Sequence, residues 1–181
     1  TPYNHYNLIK TVEENFQLGS LNKNDYGANW FRFLWNEAFA WNAPVNTDFS
    51  VGNALAITNE TEGEHIVFSN ASGQLFSSIL SDSVWSNPNK LGIINQGKIA
   101  LATIKSKTIL VNIGPNGELM TTTYDTVKKQ WSETRSLQQT TSGSIALATY
   151  LDVDTKTNKL MLCWVAADGF IQSMEGNVNG L

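Results

Sequence analysis

Gly97-Lys98-Ile99-Ala100-Leu101-Ala102 and Gly143-Ser144-Ile145-Ala146-Leu147-Ala148 are two copies of one phrase, 46 residues apart. A third copy, Gly52-Asn53-Ala54-Leu55-Ala56-Ile57, lies 45 residues before the first of them. Self-similarity at a fixed spacing of this length marks a repeat architecture, in which each unit completes its core only by stacking on its neighbours. Each opening is followed by a second apolar run, at 65–69, 108–113 and 159–165, and then by a turn glycine at Gly73, Gly117 or Gly169. A third run follows each turn glycine, and the first two of these units close on Trp85 and Trp131.

The same grammar extends backwards. Gly27 lies 14 residues before Trp41, the distance from Gly117 to Trp131, so the N-terminal segment reads as a diverged first copy. Four units follow, at 1–45, 46–90, 91–137 and 138–181, within one all-β domain. Short runs rich in β-branched and aromatic residues, with Asn, Asp, Gly and Ser between them, predict strands joined by turns. Four such strands in about 45 residues make one blade of a β-propeller. A β-trefoil repeats at similar length and is the structural rival, but it closes with three units. The aromatic-dense segment 28–40 is expected to be strand from its place in the repeat. In the fourth unit the closing tryptophan would fall at or beyond Leu181, so its outer strand is expected from elsewhere. Tyr6–Val12 is one source. The other is a second polypeptide, either another copy or the remainder of a cleaved precursor.

Composition excludes several functions. With 41% apolar residues the chain can bury a core, and no apolar stretch approaches the roughly 20 residues of a membrane span. A net charge of -4 and a pI near 5.1 leave no electrostatic footprint for nucleic acid or an anionic membrane. The chain begins at Thr1, which points to a removed leader and a secretory route. Two glycosylation sequons, at Asn59 and Asn70, fall in predicted hairpin turns. Cys163 is alone and reads as a small core residue.

No metal or other cofactor is expected. Structural zinc needs several Cys or His ligands at set spacing, whereas this chain has one Cys, with His5 and His65 far apart. A nucleophile elbow and a phosphate loop are missing, and Asp152-Val153-Asp154 lacks the glycine and terminal glutamate of a calcium loop. What remains is aromatic surface. Trp41, Trp85 and Trp131, at the closing position, are expected to wedge between blades. Trp30, Trp35 and Trp164 fall outside that position and are candidate ligand-stacking residues, with Arg32, His65 and Tyr124 completing the candidate ligand-binding set.

The succession Ser144-Ile145-Ala146-Leu147-Ala148, Lys159-Leu160-Met161-Leu162-Cys163-Trp164, Asp168-Gly169-Phe170-Ile171-Gln172 resembles a blade of the fungal fucose-specific lectins, which are six-bladed propellers. Residues 52–181 carry the resemblance. It implies a ring of which these units are part, and a sugar seated between blades. In that family an arginine of the second strand, a glutamate four residues after the turn glycine and a stacking aromatic hold the sugar. Here the glutamate position falls on Ser77, Thr121 and Ser173, and the runs 65–68, 109–111 and 160–162 contain no arginine. The forked donor set of an arginine is not reproduced by an uncharged side chain, so the conventional fucose site is expected to be missing. A second resemblance, of fold type, is to the lectin-like propeller hetero-Diels–Alderases of fungal tropolone sesquiterpene pathways. It implies a cofactor-free pericyclase, which needs only a cavity that aligns its reactants and a few hydrogen-bond donors. Three classes stand: a lectin-like module binding a glycan or small organic ligand, a cofactor-free cyclase, and a structural propeller.

Overall fold

The turn glycines fall where a side chain would be strained. Gly73 and Gly117 close their hairpins at φ of 77° and 78°, the left-handed region open to glycine, and a Cβ on Gly73 would also run into the Asn95 carbonyl oxygen. From these turns the apolar runs on either side zip into antiparallel ladders.

The computed structural model describes residues 9–10, 44, 46–60, 63–141 and 143–177, and the chain divides into two units, Thr1–Asn46 and Thr47–Leu181. In the first unit Ile9 and Lys10 have helical backbone, so the strand expected over Tyr6–Val12 is not formed at those two residues. Trp30, Arg32, Trp35 and Trp41, and the segment 28–40, lie outside the described residues.

The second unit contains three antiparallel sheets. The first has β1 (Leu55–Glu60), β2 (Gly63–Ser69) and β3 (Gln74–Ser81) in order, with the short β4 (Val84–Trp85) and then β5 (Asn89–Ile94) pairing on the far side of β3. The second repeats this plan: β6 (Ile99–Ile104), β7 (Lys107–Ile113) and β8 (Glu118–Asp125), with β9 (Gln130–Trp131) and β10 (Arg135–Thr140) both on β8. The third consists of β11 (Ile145–Asp152), β12 (Thr157–Val165) and β13 (Ile171–Gly176). β6 packs on β1 to one side and on β11 to the other, so the first strands line up along one side and the blades stack face to face in chain order. This is the arrangement of propeller blades rather than of a trefoil. The breaks expected at 90/91 and 137/138 fall inside β5 and β10, which hydrogen-bond backwards to the sheet before them.

Two buried clusters are the seams between blades. Val67 and Leu75 of the first blade meet Ile99, Leu101 and Leu110 of the second. On the opposite face of the second blade, Ile109, Val111, Ile113 and Leu119 meet Leu160, Leu162 and Trp164 of the third. The side-chain alternation of β7 explains this division: Thr108, Leu110 and Asn112 serve one seam, while Ile109, Val111 and Ile113 serve the other. Burial of both faces accounts for the near-continuous apolar reading of this strand. Cys163 is half-buried in β12 and unbridged.

The two sequons differ in setting. Asn70 sits in the β2–β3 turn, where its Oδ1 accepts the backbone N–H groups of Ser72 and Gln74. Asn59 is exposed but lies within β1, paired across from Glu64, rather than in the turn expected for it.

Candidate functional site

The seam between the first and second blades is filled. His65 on β2 is fully buried, its ring flanked edge-on by Tyr124 at 5.0 Å and tilted against Trp131 at 5.4 Å between centroids. Trp131 also donates its indole N–H to Ser77 Oγ at 3.4 Å. Beneath them, His65 Nδ1 meets Glu60 Oε1 at 2.5 Å, and the Thr108 hydroxyl of the second blade donates to the same oxygen. Burial works against the charge of Glu60, but the hydrogen bonds from His65 and Thr108 outweigh it and hold its pKa below the ordinary value. A charged carboxylate only accepts, so the proton between the pair belongs to Nδ1. Thr103 and Thr58 extend the chain of hydroxyls along the seam.

The seam between the second and third blades is buried at its core cluster but leaves a recess beside it. Seven residues after the turn glycine the three blades carry Leu80, Tyr124 and Gly176. Where Tyr124 closes the first seam, the third blade offers no side chain. A recess of about 280 Å³ results, walled by Ile109, Val111, Thr121 and Leu137 of the second blade and by Leu160, Met174 and Gly176 of the third. Ile109 and Thr121 also line an adjoining groove of about 440 Å³ on the second blade, with Lys107, Thr123, Glu133 and Arg135 among its other lining residues.

Ile109 and Thr121 occupy the positions that His65 and Ser77 hold in the first blade. Ser77 there receives the Trp131 N–H, whereas the Thr121 hydroxyl is buried without a hydrogen-bond partner. Arg135 is the direct cross-strand partner of Thr121, so the two side chains leave the sheet on the same face. Lys107 Nζ sits 2.7 Å from Asp125 Oδ2. The bond from Lys107, joined by the backbone N–H groups of Lys128 and Val127, lowers the Asp125 pKa to about 2.

Of the aromatic and polar candidates named from the sequence, His65 and Tyr124 come together, but as the packing of the first seam. Trp164 is 4% exposed in the second core cluster, with its N–H buried and unpartnered, so its face is not available for stacking. Trp131, expected as a wedge, is one, and it also lines the open groove. Among the described residues the groove is therefore walled mainly by aliphatic and polar side chains instead of a cluster of aromatics. Sequence reasoning missed Lys107, Glu133 and Arg135. The search for an arginine stopped at the second strand, whereas Arg135 reaches the groove from the outermost one. The difference between Tyr124 and Gly176 was visible in the aligned units. Among the described residues no three His, Cys, Asp or Glu side chains converge as metal ligands, and no helix is long and apolar enough to cross a membrane.

No family model matches the chain, and no curated protein matches it. Solved structures do. A fucose lectin from Kordia zhangzhouensis, determined in complex with methyl-fucoside, superposes with a TM-score of 0.51 at 11% identity, over 68% of this chain and 92% of that one. AofleA from Arthrobotrys oligospora superposes with a TM-score of 0.53 at 9% identity, over 71% of this chain; the match spans 42% of its length. The fold is a lectin-like β-propeller. Identity this low carries the architecture and not the residues of a site.

Proposed function

We propose that this chain is a lectin-like module that binds a glycan in the recess between its second and third blades and the groove that adjoins it on the second. The reading is carried by one observation: the recess is lined by Gly176, which stands where Tyr124 closes the preceding seam, and by Thr121, whose hydroxyl is buried and unpartnered. A sugar supplies what this surface lacks, a ring with hydroxyls for Thr121, Arg135 and Glu133 and an apolar C–H face for the aliphatic recess. The solved fucose lectin of the same fold supports a carbohydrate as the ligand class. The conventional arginine and glutamate positions are still unfilled here, so the sugar is held by a different set of side chains and fucose is not its preferred ligand. No described feature favours the cyclase over this reading.

A second polypeptide completing the ring belongs to the same proposal. It is supported by the third sheet, which has three strands among the described residues and leaves Ile171 of β13 78% exposed. Native mass spectrometry is expected to give a species heavier than 20.0 kDa; a folded monomer at that mass contradicts it.

The binding test is a glycan array followed by amide chemical-shift mapping with the best ligand. Shifts concentrated at Ile109, Thr121, Thr123 and Gly176 are expected. Retention of no glycan, or shifts confined to other residues, contradicts the proposal.

A further inference from the structure

The hydrogen-bonding groups still unspent in the groove are unequal in kind. Lys107 is committed to Asp125, and both oxygens of Asp125 are committed in turn, one to Lys107 and one to backbone N–H groups. Among the described residues Arg135 and Lys128 make no ion pair or side-chain hydrogen bond. The buried Thr121 hydroxyl stands directly across from Arg135 with no partner. The one groove carboxylate left uncommitted is that of Glu133, which is exposed at the rim. Unpaired cations thus outnumber unpaired carboxylates in the groove, on a chain whose net charge is -4.

A neutral sugar leaves these cations without a counter-charge. A carboxylate or sulfate ester brings acceptors alone, and the planar guanidinium fork binds either one through two parallel bonds. We propose that the groove selects an anionic sugar, a glycan residue carrying a carboxylate or a sulfate ester, with that group held between Arg135 and the Thr121 hydroxyl. The inference rests on the groove being a glycan site and adds the charge of the ligand. The sugar ring then lies along Ile109 toward the apolar recess at Leu160 and Met174.

The test is a calorimetric titration of the whole chain with methyl glucuronide, glucose 6-sulfate and methyl glucoside, repeated with R135Q and R135K. At least one charged sugar is expected to bind roughly ten-fold more tightly than methyl glucoside, a margin that shrinks as salt is raised. R135Q is expected to abolish that margin, and R135K to keep part of it. The sugar that shows the margin identifies the anionic group as carboxylate, sulfate or either. Equal binding of charged and neutral sugars, or a full margin retained by R135Q, overturns the anionic assignment and leaves the glycan reading standing. Binding of none of the three, by a protein that also retains nothing on a glycan array, overturns both.

Discussion

Glu60 holds the first seam through a single carboxylate that serves both blades. It accepts from His65 of its own sheet and from Thr108 of the next, and both partners are fully buried. Glu60→Ala would strand two donors in the interior, each costing about 1 to 3 kcal/mol, so a loss of roughly 3 to 5 kcal/mol is expected. Urea denaturation measures it, and a loss below about 1 kcal/mol would mean that the seam does not depend on this pair. Asp125 makes a pH prediction of the opposite, exposed kind. Its folded pKa is depressed to about 2, below the ordinary aspartate value. The stabilisation is therefore complete above about pH 4, the unfolded pKa, and is lost as pH falls through the folded value. Carboxyl NMR should place the Asp125 midpoint at about 2, and Lys107→Met should return it toward 3.8. An Asp125 midpoint unmoved by that change would show that Lys107 is not its partner in solution.

At the scale of strands, β9 is two residues long yet ties two blades together through Trp131, which touches His65, Tyr124 and Ser77. Trp131 is half-buried, so Trp131→Ala is expected to cost about 2 to 4 kcal/mol, with Trp131→Phe recovering the packing but not the Ser77 bond. An unchanged thermal midpoint for Trp131→Ala would contradict its role as the wedge. The strands themselves were legible in the sequence because their signals are local: alternating apolar runs, and glycine turns whose φ excludes side chains. The expected unit breaks cut through the outer strands β5 and β10, because these pair backwards across a loop that carries no local mark of direction.

At the scale of the whole molecule, periodicity predicted a propeller and stacking of the blades delivers one. The site was less legible, because it is made by a difference between repeats and not by the repeat. His65 and Tyr124 looked like ligand residues for their chemistry, but burial between blades turns them into core, and only tertiary contact reveals that. The recess depends instead on Gly176, a residue with no chemistry of its own. It lies in β13 directly across from Leu160, so a side chain there would leave the sheet on the face of the second seam. Gly176→Tyr should therefore close the second seam as Tyr124 closes the first, directing the new ring over Ile109 and Thr121. The most direct test of the account is to measure the glycan affinity of the Gly176→Tyr variant beside the unaltered chain, with the fold checked by its amide spectrum. The account predicts a native-like spectrum and a loss of binding of at least a hundred-fold, about 2.7 kcal/mol; a folded variant that binds as tightly as the unaltered chain would contradict it.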